Sequence, residues 1–516
     1  MRTLKPWIWI AGGLLCAAIA GAGLLGGGPS LLGYSGAELY GHAWVQWWHG
    51  ESLPGWPAGT ELAVGADPWP VIDPLPTLLG ALGGRLVGYT WSWNLLGLLA
   101  VAGAFWGGAS LARRWDGDPW VGGLVAALGP ALAGSLASGL TEDWSLGLLA
   151  VALGLLSAAS LPAVLVGGVL LGLTAWCGLY LAFIGAGMAL VLGIWRIAKD
   201  PSAWKGQLGA AALALCIALP AAMLQGERLS GEGHRQGQVT RQVEPSWRLN
   251  PWQGADLASF ITPGPADLSE RPLIRLHPAY LGWIVLLLAV YGGRSRWWLL
   301  LAVPLSLSTG RALFFAGNDL GLDNPLVLLE QRLPIASLLN HHARLLLGAQ
   351  LALAVLAARG AARLPQRWRY LAAAAVALEL TLASPMPWPL PVTGVPVESA
   401  LVELGEDPPP GRLLVLPVSG PGVHFQRPLF EQRLHGMPLA HTPNRPGADH
   451  AVTANPTGRW LAGPPHVPMP AGADPEALRR AGIGAVFVRK DAVDRVVPLL
   501  GEPAHVSAGG AVFRIE

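Results

Sequence analysis

The feature that most limits what this chain can become is the recurrence of long apolar runs. Trp7 to Gly27, Trp93 to Ala112, Pro119 to Ser138, Ser145 to Ser160, Gln207 to Gln225, Pro278 to Gly292, Trp297 to Thr309, Leu345 to Ala358 and Tyr370 to Ser384 are all strongly apolar. Pro162 to Trp195 is long enough for two more, with a turn near Trp176 to Tyr180. A helix needs roughly 20 apolar residues to cross a bilayer, so the pattern predicts about eleven spans. Charged residues make up 13% of the chain, against roughly 25% in a soluble domain. The expected fold is an all-α polytopic membrane bundle. A net charge of +2 gives no electrostatic footprint for nucleic acid. Cys16, Cys177 and Cys216 all lie in apolar runs, so no disulfide framework or metal-ligand spacing follows from them. The first run has the basic start (Arg2, Lys5) and the small residues Ala20-Gly21-Ala22 of a signal peptide. It is long for one, and many spans follow, so a retained first helix is the reading.

Orientation follows from the cations of short loops. Arg2 and Lys5, Arg113 and Arg114, Arg196, Lys199 and Lys205, Arg294 and Arg296, and Arg359, Arg363, Arg367 and Arg369 fall on one side, which is then cytoplasmic. The protein is expected in a bacterial inner membrane, its N-terminus cytoplasmic. The opposite face receives loops 28–92, 139–144, 226–277 and 310–344, and the segment after the last span. Residues 1–384 form the membrane domain. Residues 385–516 change composition: Gly411 to Pro417, Ala485 to Arg489 and Ala511 to Ile515 read as strands and Pro475 to Ala481 as a short helix. That predicts a small extracytoplasmic α/β domain.

The outer stretches carry the chemistry-bearing residues. Tyr34 to Pro76 holds Glu38, His42, His49, Glu51, Glu61, Asp67 and Asp73 with Trp44, Trp47, Trp48, Trp56 and Trp69. Glu38 to His49 suits an interfacial helix with its indoles near one side. Glu38-Leu39-Tyr40-Gly41-His42-Ala43-Trp44 followed by Leu53-Pro54-Gly55-Trp56 resembles the first outer loop of the GT-C class of membrane glycosyltransferases, including YfhO-like and dolichyl-phosphate-mannose-transferase-like proteins. Ser138-Gly139-Leu140-Thr141-Glu142-Asp143-Trp144 resembles their second loop. Leu333-Pro334 through His342-Ala343-Arg344 resembles the segment before a late span, and Leu478 to Val488 the helix and strand of their C-terminal domain. One departure is Glu38, where the family usually carries Asp.

The resemblance implies transfer of a sugar from a polyprenyl-phosphate carrier to a glycan, lipid or protein acceptor among membrane lipids. Glu38 is the candidate base, helped by Glu142 or Asp143. A carboxylate capping a helix start, or a solvated acidic turn, are the plain alternatives. Arg344 and then Arg332 are candidates for the departing phosphate, against an arginine snorkelling to the interface. His42 and His49, two helical turns apart, are read as polar lining, and His42, His341 and His342 are candidate substrate contacts. Trp44, Trp48 and Trp144 are candidates for stacking on a sugar, although most of the 24 tryptophans suit interface belts. A metal-held carboxylate, with a divalent ion, is the alternative to a free base. His341-His342 make a poor metal pair, because adjacent helical side chains diverge by about 100°. A lipid transporter or flippase is the second reading; it calls for charges buried mid-span, of which Glu379 is the main one. A non-catalytic envelope scaffold on the same fold is the third.

Overall fold

The computed structural model describes residues 6–52, 73–229, 254–264, 278–332, 341–417, 423–440, 452, 455–463 and 467–515. Trp56, Glu61, Asp67, Trp69 and Leu333-Pro334, named above, lie outside them. The chain is mostly helical. Among the described residues, six segments are long and apolar enough to cross a membrane: Trp7–Gly26, Tyr89–Arg114, Pro119–Ser138, Leu179–Lys199, Pro201–Met223 and His342–Ala362. Leu161–Cys177 and Trp297–Ser308 are shorter apolar helices.

The first ten helices are α1 (Pro6–Gly21), α2 (Leu39–Ser52), α3 (Pro74–Val87), α4 (Tyr89–Arg114), α5 (Pro119–Leu128), α6 (Pro130–Ser138), α7 (Leu146–Leu156), α8 (Leu161–Cys177), α9 (Leu179–Lys199) and α10 (Trp204–Leu229). The turn expected near Trp176 to Tyr180 is the break at Gly178 between α8 and α9. The apolar run from Pro119 is interrupted at Gly129-Pro130 for a local reason. Pro130 has no N–H, so the Ala126 carbonyl loses its partner one turn on. The buried Gln350 amide replaces it, donating to Ala126 O at 2.8 Å while its oxygen accepts from the Leu132 N–H at 3.3 Å. A Cβ at Gly129 would sit 2.3 Å from the Gln350 side chain, so the glycine makes room for this repair.

Glu379, the mid-span charge that a transporter would want, is also engaged structurally. Its carboxylate accepts from the Tyr280 hydroxyl at 2.9 Å and the Ile284 N–H at 2.9 Å. It therefore caps the N-terminus of the helix Trp283–Tyr291 from a neighbouring helix, Gln366–Leu382, where a carboxylate complements the dipole.

The loop cations gather at one end of the bundle. Arg114, closing α4, donates to the Ser157 carbonyl after α7 at 3.1 Å. Arg196 of α9 reaches the same carbonyl at 3.4 Å. Arg359 donates to Trp115 O at 3.0 Å and Arg363 to Tyr291 O at 2.9 Å. The turns that begin α7, α9 and the helix Leu346–Ala362 lie at the other end, and the first of them holds Glu142 and Asp143.

Strand β1 (Ser30–Leu32) precedes α2, β2 (Ala312–Phe315) and β3 (Asn318–Asp323) pair antiparallel, and β4 (Val392–Gly394) opens the tail. The C-terminal strands predicted from sequence are present. β5 (Arg412–Leu416), β6 (Ile483–Arg489), β7 (His505–Ser507) and β8 (Gly510–Arg514) form one sheet in the order β5-β6-β8-β7. β5 and β6 are parallel; the other pairs are antiparallel. Side chains alternate between two cores. Leu413, Ala485, Phe487 and Val512 join the core of the helical body, while Leu414, Val486, Val488 and Phe513 form a second one. The tail meets the opening stretch twice. β4 (Val392–Gly394) pairs with β1 (Ser30–Leu32) just before α2. The helix Val423–His435 packs on α2 itself, with Phe430 stacked on Tyr40 at 5.4 Å between ring centroids and Gln432 accepting the Trp44 N–H at 2.8 Å.

Candidate functional site

Two loops about a hundred residues apart in sequence but close in space build the site. The Tyr34 N–H donates to Ala137 O at 2.6 Å and the Glu38 N–H to Ser138 O at 3.1 Å. The approach depends on Gly139. Its φ is +74°, and a Cβ there would lie 2.6 Å from the Leu39 Cα. The first turn of α2 and the turn Thr141–Asp143 are therefore held backbone to backbone.

His42, one turn after Glu38, links them chemically. Its Nε2 lies 3.5 Å from Glu38 Oε2. Its Nδ1 is 2.9 Å from the Thr141 hydroxyl, which in turn donates to Asp73 Oδ2. Asp73 ends the long first loop at the N-terminus of α3, and its other oxygen accepts from Thr77 at 2.9 Å. The geometry assigns the protons. The single Thr141 hydrogen goes to Asp73, so Thr141 accepts from His42 Nδ1–H. The Nε2 edge then faces a carboxylate and also carries a proton. His42 is an imidazolium, with its pKa raised: burial opposes the charge, but Glu38, Asp73 and Glu142 outweigh it. Burial would likewise push the Glu38 carboxyl up, yet its His42 contact and the charge of Arg344 hold it down at about 2.

On the other side of the same turn, Arg344 donates to Glu142 Oε2 at 2.7 Å, the two side chains being 4% and 6% exposed. Arg344 belongs to the turn His342–Leu345 that opens the helix Leu346–Ala362. Its guanidinium lies 4.8 Å from the centre of the Tyr180 ring, and the Tyr180 hydroxyl accepts the His341 N–H at 2.7 Å. The Gly178 break of α8–α9 places Tyr180 there; a Cβ at Gly178 would be 2.8 Å from Glu142 Cβ. Asp143, fully buried, accepts from Ser135 at 2.8 Å, and its second oxygen has no hydrogen-bond donor among the described residues. Burial pushes both Asp73 and Asp143 up to about 6. Burial and the Arg344 charge hold His341 down at about 4, so it is neutral at pH 7. Four carboxyl groups thus face two cations, and the two most buried ones carry the excess as raised affinity for a proton.

The structure brings Glu38, His42, Glu142, Asp143, His341 and Arg344 together. His342 is buried in the same turn, beside Gly310. Arg332 is exposed at the end of the short helix Leu326–Arg332, and no contact among the described residues joins it to the cluster. The tryptophans need correction. Trp44 and Trp48 are fully buried and stacked on each other, 5.1 Å apart, and Trp144 packs edge-on against Trp93 at 4.9 Å. Trp44 and Trp48 are core of α2, and Trp144, just before α7, is core against α4; none is a face open to a sugar. Asp73, Thr141 and Tyr180 belong to the cluster without having been singled out for it. Asp73 reads as a shaper of the chain's return because prolines surround it; only the fold of α3 shows where its carboxylate points. Among the described residues no three His, Cys, Asp or Glu side chains are grouped closely enough to hold a metal ion.

No protein-family model matches the chain, and no curated protein matches it. Among solved structures it is similar to ArnT from Cupriavidus metallidurans bound to undecaprenyl phosphate, with 14% identity and a TM-score of 0.41, over 99% of this chain and 98% of that one. It is also similar to the oligosaccharyltransferase of Archaeoglobus fulgidus in its apo form, with 14% identity and a TM-score of 0.47, over 95% and 70% of the two chains. The same archaeal enzyme with an inhibitory peptide and a dolichol-phosphate gives 12% identity and a TM-score of 0.44, over 94% and 69%.

Two predictions follow from the electrostatics. Arg344→Met leaves Glu142 buried without its partner and is expected to cost about 3–5 kcal/mol of stability, most of it recovered by adding Glu142→Leu. Unfolding of the detergent-solubilised variants measures both; a double variant no better than the single one contradicts the pairing. The second concerns pH. Glu38, at about 2 against the usual 4.5, adds stability that is complete above 4.5 and lost as pH falls towards 2. His42, raised above 6.5, adds stability that is complete below 6.5 and lost as pH rises through its raised value. Asp73 and Asp143 add a cost as they ionise between the usual 3.8 and about 6. The unfolding midpoint is expected to peak on the acid side of neutrality, and His42→Gln to flatten its alkaline fall. A midpoint that climbs steadily from acid to alkaline pH contradicts the proton assignment.

Proposed function

We propose that the chain is an integral membrane glycosyltransferase that moves a sugar from a polyprenyl-phosphate carrier to a cell-envelope acceptor. The observation that carries this reading is the meeting of Glu38 with His42 and of Arg344 with Glu142 on one turn, at the bundle end opposite the cations. Of the four carboxylates only Glu38 has appreciable solvent contact, at 31% of its side chain; Glu142 has 6%. Glu38 is the one that can touch an acceptor.

In the proposed reaction the acceptor oxygen forms a bond to the sugar's anomeric carbon, and the bond from that carbon to the lipid phosphate breaks. The acceptor proton passes to Glu38. A carboxylate held near pKa 2 is a weak base for a free hydroxyl, but the hydroxyl becomes strongly acidic as its new bond forms. His42, hydrogen-bonded through Thr141 to Asp73, fixes the orientation of Glu38. The leaving lipid phosphate takes the bonding electrons and a negative charge. Arg344 supplies the neutralising cation: its Nε–H is buried and has no acceptor among the described residues, while Nη1 is held by Glu142. Arg332 has no part in this scheme.

Positive-inside bias makes the basic end cytoplasmic and puts the site at the outer face. On this reading the C-terminal segment, whose described strands form the sheet β5-β6-β8-β7 and whose helix Val423–His435 packs on α2, is extracytoplasmic. The transporter reading is less favoured because Glu379 is spent on capping a helix. The test is transfer by the full-length protein in liposomes supplied with labelled polyprenyl-phosphate sugars. Glu38→Gln is expected to lower turnover about 10²–10⁴-fold, the range for a general base. Equal turnover in both proteins removes Glu38 from that role.

A further inference from the structure

The basic end of the bundle holds a second cluster that the proposed chemistry does not use. Trp115 follows α4, Trp195 lies in α9 and Trp297 opens the helix Trp297–Ser308. Trp115 stacks on Trp195 with ring centroids 4.8 Å apart, and meets Trp297 edge to face at 5.4 Å. The indole N–H of each is buried and finds no acceptor among the described residues. An indole has that donor alone, and a buried one ordinarily finds a partner. Elsewhere Trp93 donates to Leu32 O, Trp106 to Trp9 O, Trp176 to Ile217 O and Trp298 to Gly293 O, while Trp144 and Trp388 also find no acceptor among the described residues; the basic end differs in that three such indoles touch one another beneath cations.

Cations crowd the same rings. The Lys199 ammonium lies 4.4 Å and the Arg296 guanidinium 4.8 Å from the centre of the Trp195 ring. Arg359 donates Nη1 to the Trp115 carbonyl, and its Nε is buried with no acceptor among the described residues. Of the acids close in sequence, Asp116 is exposed beside Trp115, and Asp118 and Asp200 are engaged elsewhere. Asp118 caps α5 through the Trp120 and Val121 N–H groups, and Asp200 accepts from Ser202. The cluster has cations and four buried N–H donors, and its own side chains supply no acceptor. Lys199 and Arg296 are exposed, so the cluster opens at its rim.

We propose that Trp115, Trp195 and Trp297, with Lys199, Arg296 and Arg359, form a binding site for the phosphate of an anionic lipid headgroup. Phosphate oxygens supply several acceptors and the charge that two cations over one ring require. The site lies at the end of the bundle where α4, α9 and the helix Trp297–Ser308 meet the headgroup plane, and it is separate from the acidic cluster at the other end.

Native mass spectrometry of the full-length protein in neutral detergent tests this, with short-chain phosphatidylglycerol, short-chain diacylglycerol and inorganic phosphate as probes. Phosphatidylglycerol is expected to be retained and diacylglycerol not. Trp195→Phe, which keeps a stacking ring and removes the N–H, and Arg296→Gln are each expected to weaken retention about three- to tenfold. Arg367→Gln removes a cation of the same end that lies over Trp368, and retention is expected to be unchanged. Equal retention of diacylglycerol overturns the proposal. So does equal weakening by Arg367→Gln and Arg296→Gln with none by Trp195→Phe, which would mean rim charge alone. Inorganic phosphate bound as tightly as the lipid overturns the lipid assignment in favour of free phosphate.

Discussion

A guanidinium and a carboxylate, 2.7 Å apart and almost without solvent contact, join residues separated by 202 positions. Burying two charges is costly unless each is fully partnered. Arg344 and Glu142 therefore demand a precise meeting of three helix openings: α7, α9 and the helix Leu346–Ala362. Tyr180 under the guanidinium, the Gly178 break and the αL glycine at 139 are the local devices that let those ends converge. Once the pair is in place, its cation also acts on Glu38 and Asp143, so the protonation of the whole cluster depends on it. Carboxyl groups outnumber cations there, and burial of Asp73 and Asp143 raises their affinity for a proton, so the excess is relieved as pH falls towards about 6.

Among the described residues, the tail contributes to the site by holding the helix that carries His42. Tyr40 and Trp44, on the helix that carries His42, are held by Phe430 and Gln432. The helix that bears them is tied to the sheet by Glu431, which accepts from Arg427 at 2.7 Å and also from Arg489 of β6. One face of that sheet shares its core with the membrane helices. The acidic stretch is thus braced from both sides, by β4 on β1 and by the helix Val423–His435 on α2.

Much of this was legible in the sequence because it depends on period and position. The apolar runs, the break near Gly178, the strands at Arg412–Leu416, Ile483–Arg489 and Gly510–Arg514, and the segregation of cations to one end all follow from local pattern. Glu38, Glu142 and Arg344 stand out as charges at the edges of apolar runs. What pattern could not supply were three-dimensional coincidences. Asp73 sits among prolines, Thr141 is an ordinary loop hydroxyl and Tyr180 is inside an apolar run; each acquires meaning only from what lies opposite. The indoles misled for the opposite reason. Trp44, Trp48 and Trp144 look like a sugar platform by residue type, but the same area of apolar ring is what a closely packed core needs. Glu379 was legible as a mid-span charge and not as a cap, since its partners at Tyr280 and Ile284 are about a hundred residues away.

The most direct measurement is an experimental structure of the full chain with a polyprenyl phosphate bound. The account predicts a phosphate oxygen within hydrogen-bonding distance of Arg344 Nε, with the Arg344–Glu142 pair intact and Glu38 facing the position an anomeric carbon would occupy. A phosphate held by Arg332, or at any place from which Glu38 cannot reach that carbon's neighbour, would contradict it.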